Sequence, residues 1–123
     1  MRECFLLFVG GGLGSVVRFL ISKNLNPLLK NFYLGTFFSN IIGCLLIGFV
    51  LGLFTKGKIL NQSQILFIGL GFCGGFTTFS TFAFEKYTFL KSGEYLYFLS
   101  YTLSSIITGI LAIALGIYLS KVA

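Results

Sequence analysis

The sequence predicts an all-α membrane protein with four transmembrane helices, the third broken at midspan. Three observations carry that prediction. Hydrophobic residues make up 56% of the 123-residue chain and charged residues only 10%, with a mean hydropathy of +0.97, a balance that would leave a water-soluble fold of this size covered in exposed apolar surface. Four apolar runs approach the roughly 20 residues a helix needs to cross about 30 Å of hydrocarbon. The polar stretches between them reach about a dozen residues at most, so residues 1–123 form a single four-span domain with no room for a soluble one.

Taken in order, the spans cover residues 4–21, 34–54, 65–84 and 95–119, with Arg18 the only charge inside them. Arg2 ahead of the apolar run Phe5 to Val9 has the outline of a signal peptide, but no A-x-A-like site follows and the run continues through Arg18. The same run followed by Gly10, Gly12 and Ser15 resembles a dinucleotide-binding turn. It lacks the acidic residue about 20 positions on, so these glycines read as sites of close helix packing. Asn24, Asn26, Pro27 and Lys30, then Lys56, Gly57, Lys58 and Asn61, then Lys91, Ser92, Gly93 and Glu94 mark three surface turns.

Much chemistry is excluded. The chain has no histidine, and Glu3, Glu85 and Glu94 stand at or beyond the ends of the spans, which leaves few candidates for acid–base or metal chemistry and points away from an enzyme. Cys4, Cys44 and Cys73 form no CxxC pair and read as small buried hydrophobes. The net charge of +6 comes from basic residues scattered singly around the span ends, an arrangement of interfacial anchors rather than a nucleic-acid surface.

Threading the chain four times places Arg2, Lys56, Lys58 and Lys121 on one side and Lys23, Lys30, Lys86 and Lys91 on the other. A tie in basic residues leaves orientation undecided or allows both. No internal repeat supplies the second half of a midplane site, and an oppositely inserted copy would. Parallel partners are the alternative.

Span three carries the strongest local signal. Gly69, Gly71, Gly74 and Gly75 are followed by Thr77, Thr78, Ser80 and Thr81 among Phe76, Phe79 and Phe82. Paired glycines followed by β-branched residues weaken a helix, so the spacing predicts a break near Gly74 to Thr78. Its unwound carbonyls would be ligands for a sodium-sized cation; a merely kinked packing helix is the alternative. Thr36 and Asn40 share a face of span two, and Tyr101, Ser105 and Thr108 share one of span four. With the hydroxyls of span three they form a polar track. Amide and hydroxyl donors, with the positive rims of Phe79 and Phe82, suit a small anion. No Lys or Arg lies at midspan, which fits conduction rather than trapping, and Arg18 could attract anions at a vestibule.

The run Gly71, Phe72, Cys73, Gly74, Gly75, Phe76, Thr77, Thr78, Phe79, Ser80, Thr81, Phe82 resembles the signature of the Fluc, or CrcB-type, family of fluoride channels. Gly11, Gly12, Gly14 and Arg18, and Gly35, Thr36, Asn40 and Gly43, resemble its supporting motifs. Ser15 and Ser39 depart from its usual residues. The resemblance implies an antiparallel dual-topology homodimer in the cell (inner) membrane, with two fluoride pores and a structural sodium ion. It implies Gly74 and Thr77 carbonyls on sodium, Phe79 and Phe82 along the pore, hydrogen bonds to fluoride from Asn40, Thr36, Tyr101 and Ser105, and Arg18 at a vestibule. Ser80, Thr81 and Thr108 complete the expected pore. The alternatives are a small multidrug resistance type transporter and a non-transporting assembly subunit, the latter favoured by the stripe Ser105, Gly109, Ala112 and Gly116.

Overall fold

In the computed structural model, which describes residues 1–57 and 60–123, the four apolar runs are helical apart from residues 77–79. Lys58, counted above on the side of the termini, lies outside the described residues. Helix α1 covers Arg2–Leu25 and runs into a single 3₁₀ turn, Asn26–Leu28, with Pro27 in its first positions. The Asn26 side chain then caps helix α2, Leu34–Thr55, accepting the N–H groups of Gly35 at 2.7 Å and Thr36 at 3.4 Å. Gly57, at φ 63°, lets the chain leave α2 in the left-handed region.

The third span begins at a reciprocal capping box between Asn61 and Gln64. Helix α3, residues 62–76, opens with one α-turn, widens into a π-helix over Ile65–Cys73 and tightens again at Gly74–Phe76. Residues 77–79 are not helical, and Thr77 is extended at φ −84°, ψ 157°. Helix α4 covers Ser80–Lys91. It ends in a Schellman-type turn in which Gly93 adopts φ 75° and the Glu94 N–H donates to the Phe89 carbonyl at 2.9 Å. Helix α5 is Tyr95–Val122. Its last carbonyls, on Ser120 and Lys121, accept from the Lys56 ammonium at 3.3 and 2.5 Å, a cation placed at the negative helix end.

The four spans are long and apolar enough to cross a bilayer, and the chain is a multi-pass membrane protein. They pack chiefly as two pairs, α2 along α5 and α1 along α3. Lipid gives no hydrophobic drive for helix association, so backbones must approach closely, and small residues permit it. A Cβ on Gly14 would meet the Phe72 carbonyl oxygen, and one on Gly116 the Leu45 carbonyl oxygen. Gly14→Ala is therefore expected to pry α1 from α3 and destabilise the fold by about 1–3 kcal/mol, the usual range for overpacking. Thermal unfolding of the detergent-solubilised variant checks this; an unchanged midpoint would contradict it.

Three expectations need correction, the first being Cys4, which is exposed rather than buried. Gly74 and Gly75 are helical, and the non-helical residues begin at Thr77. Gly75 serves α1 instead, since a Cβ there would strike the Gly11 carbonyl, whereas a Cβ on Gly74 would meet no atom within 4 Å. The third span also continues to Lys91 instead of ending at residue 84, so Glu85 and Lys86 lie inside α4 and are buried, 3% and 6% exposed. Neither a span-end acid nor a surface anchor describes them. Charges at these positions suggest the end of a span, whereas α4 turns them inward toward polar and aromatic partners.

Candidate functional site

The site grows from the gap between α3 and α4. In a continuous helix the Thr78 N–H would bond the Gly74 carbonyl, and the Thr81 N–H the Thr77 carbonyl. Here Asn40 of α2 takes over. Its Oδ1 accepts the Thr78 N–H at 2.7 Å and its Nδ2 donates to the Thr78 carbonyl at 3.1 Å. The Thr81 N–H turns to the Thr78 hydroxyl at 3.2 Å. The amides that would have covered the Gly74 and Thr77 carbonyls are thus engaged elsewhere. Arg18 holds the same segment from α1, its Nε donating to the Gly75 carbonyl at 3.1 Å, with Ser15 Oγ on that oxygen at 3.4 Å. Of the five guanidinium donors that bond accounts for one.

Asn40, Gly74, Thr77, Thr78, Phe79, Phe82 and Ser105 line one cavity of about 690 Å³ between α2, the gap and α5. Asn40 keeps one amide N–H beyond its bond to Thr78. Ser105 Oγ is buried without a hydrogen-bond partner among the described residues. Phe79 and Phe82 stand with ring centroids 6.3 Å apart. Phe79 is 79% exposed, and Ile110 on the same cavity is 64% exposed, so the cavity is open on that side.

Beyond Phe82 lies a second polar cluster that sequence reasoning missed. The Glu85 carboxylate accepts from the Thr36 hydroxyl at 2.5 Å and the Tyr101 hydroxyl at 3.0 Å. Thr36 and Tyr101 are both fully buried. The Phe82 ring joins the two regions, 5.7 Å from the Tyr101 ring. The only sequence signal for Glu85 was its place four residues after Thr81, on the face that continues the polar run.

The remaining expected residues separate. Thr108 bonds back to its own helix, at the Ser104 carbonyl (2.5 Å). Ser80 is exposed, and Thr81 is partly buried outside the cavity wall. The spacing of Tyr101, Ser105 and Thr108 placed them on one face, yet they divide among the Glu85 cluster, the cavity and the helix backbone.

A family model described as "CrcB-like protein, Camphor Resistance (CrcB)" matches residues 5–117. The chain belongs to the CrcB family. Among CrcB relatives, a protein of Gloeothece citriformis is 45% identical over 122 residues, covering 98% of each chain. One of Phocaeicola vulgatus is 43% identical over 98% of this chain and all of its own. One of Pyrococcus furiosus is 36% identical over 98% of each. All three are named fluoride-specific ion channel FluC, a non-enzymatic role.

Proposed function

We propose that this CrcB chain is a fluoride-selective channel that lets fluoride leave the cytoplasm passively through the cell membrane. The observation that carries this reading is the cavity in which Asn40, Ser105 and the Phe79 and Phe82 rings meet at a gap in a membrane span. A bare halide in a low-dielectric slab is disfavoured by tens of kcal/mol by Born reasoning, so donors must replace its water step by step. The free Asn40 N–H, the Ser105 hydroxyl and the ring rims are uncharged donors, strong enough to admit the ion and weak enough to release it. From the cavity, Phe82 leads to the Thr36 and Tyr101 hydroxyls.

The open side of the cavity, where Phe79 and Ile110 are exposed, supports an antiparallel homodimer, each copy closing the other's cavity, with two pores. The Gly74 and Thr77 carbonyls fit a sodium ion: their helical amide partners are engaged by Asn40 and by Thr78. A sodium ion held there would offset the partial negative charge of these two carbonyl oxygens. The multidrug-type alternative needs a carboxylate open to a cationic drug. Glu85, the one deeply buried acid, has an oxygen on Thr36 and the other on Tyr101, and is absent from the cavity wall.

Expression in a bacterium lacking its own fluoride exporter tests this. Growth in fluoride at levels that stop the empty-vector strain is expected, and equal sensitivity of the two strains would overturn the proposal.

A further inference from the structure

Lys86 has no part in the pathway just described, and its surroundings are unusual for an ammonium. It is 6% exposed, and its Nζ has no hydrogen-bond partner among the described residues. Instead Nζ sits over aromatic faces, 3.0 Å from the Tyr101 ring centroid and 3.9 Å from that of Phe82. Lysine ammonium is strongly hydrated and is rarely fully buried unless paired. Here ring quadrupoles and the neighbouring Glu85 carboxylate are what hold it.

The same two rings belong to the pathway. Tyr101 gives its hydroxyl to Glu85 and its face to Lys86, so one ring stands between opposite buried charges. Phe82 offers its face to Lys86 and lines the cavity that holds Asn40 and Ser105. With that face taken by a cation, the electron density of Phe82 is drawn toward Nζ and its hydrogen-bearing rim becomes more positive.

We propose that Lys86 is a positioning residue that acts through Phe82: it strengthens the ring rim as a ligand for a small, strongly hydrated monovalent anion and offsets the repulsion that Glu85 would exert on that anion. This rests on the reading that the anion passes Phe82, and it adds a fixed charge, held off the path, that sets affinity. A full charge seated directly on the path would trap the ion; behind a ring it attracts without binding.

The test is fluoride current through the reconstituted full-length protein in planar bilayers, recorded against fluoride concentration, for the parent, Lys86→Met and Lys86→Arg. At the separation of one ring thickness plus an ion contact, losing a unit charge at an effective dielectric near 20 is expected to raise the half-saturating fluoride concentration about tenfold or more. Lys86→Arg, which keeps charge and stacking, is expected to stay near the parent value. Should Lys86→Met fail to elute as the parent oligomer, Lys86→Gln replaces it and is read the same way. A neutral variant with the parent's half-saturation overturns the proposal, even if it unfolds more easily, because that would make Lys86 only a structural counter-ion for Glu85. An arginine variant that shifts as far as methionine overturns it as well. A parent protein that carries no fluoride overturns both this inference and the proposed function, whereas a conducting parent with an unresponsive Lys86→Met sinks this inference alone.

Discussion

Asn40→Asp is expected to lower fluoride efflux by at least about a hundredfold, the effect of one like charge some 6 Å from the ion at an effective dielectric near 20. Two consequences of the geometry add. The aspartate would still accept the Thr78 N–H, but its second oxygen would face the Thr78 carbonyl where Nδ2 now donates at 3.1 Å. Two acceptors in contact repel, so the gap between α3 and α4 loses its clamp. The carboxylate would also replace the amide N–H that remains for the anion. Fluoride-electrode recordings from proteoliposomes check this, and efflux within a few-fold of the parent would contradict the role given to Asn40.

Phe82→Ile is expected to lower flux about tenfold or more while the oligomer stays intact. Isoleucine keeps apolar volume and loses the positive ring rim. The ring also links the cavity to the Glu85 cluster, standing 6.3 Å from Phe79 and 5.7 Å from Tyr101, and it carries one of the faces over which Lys86 rests. Unchanged conductance with an unchanged elution volume would remove the ring-edge role and, with it, the route past Phe82.

Local patterns made part of this site legible before any coordinates. Thr36 and Asn40 stand four apart, so one helix face had to present both, and a buried amide in lipid had to find partners. The concentration of glycine and threonine in the third span surrounds residues 77–79, which are not helical, but it pointed to Gly74 and Gly75 as well, and these are helical. The exact residues were not legible, because Gly75 answers to the close approach of α1, a tertiary contact that no local pattern reveals. The π-helical stretch Ile65–Cys73 had no sequence signature.

Glu85 and Lys86 were misplaced for a different reason. Hydropathy ends a span at its first charges, whereas a charge that finds hydroxyls or ring faces extends the span inward. Thr36 and Tyr101 solvate Glu85, and the rings of Tyr101 and Phe82 solvate Lys86. Those partners lie 49 and 16 residues from Glu85 along the chain, beyond the reach of any local pattern.

The central claim is that uncharged donors and aromatic rims at a gap in a membrane helix stand in for the water of a small halide. The most direct measurement loads liposomes containing only this polypeptide with equal fluoride and chloride, and follows both ions as they leave down matched gradients. Fast loss of fluoride with chloride retained is the predicted result. Vesicles that hold fluoride as tightly as protein-free ones, or that release both halides alike, would contradict it.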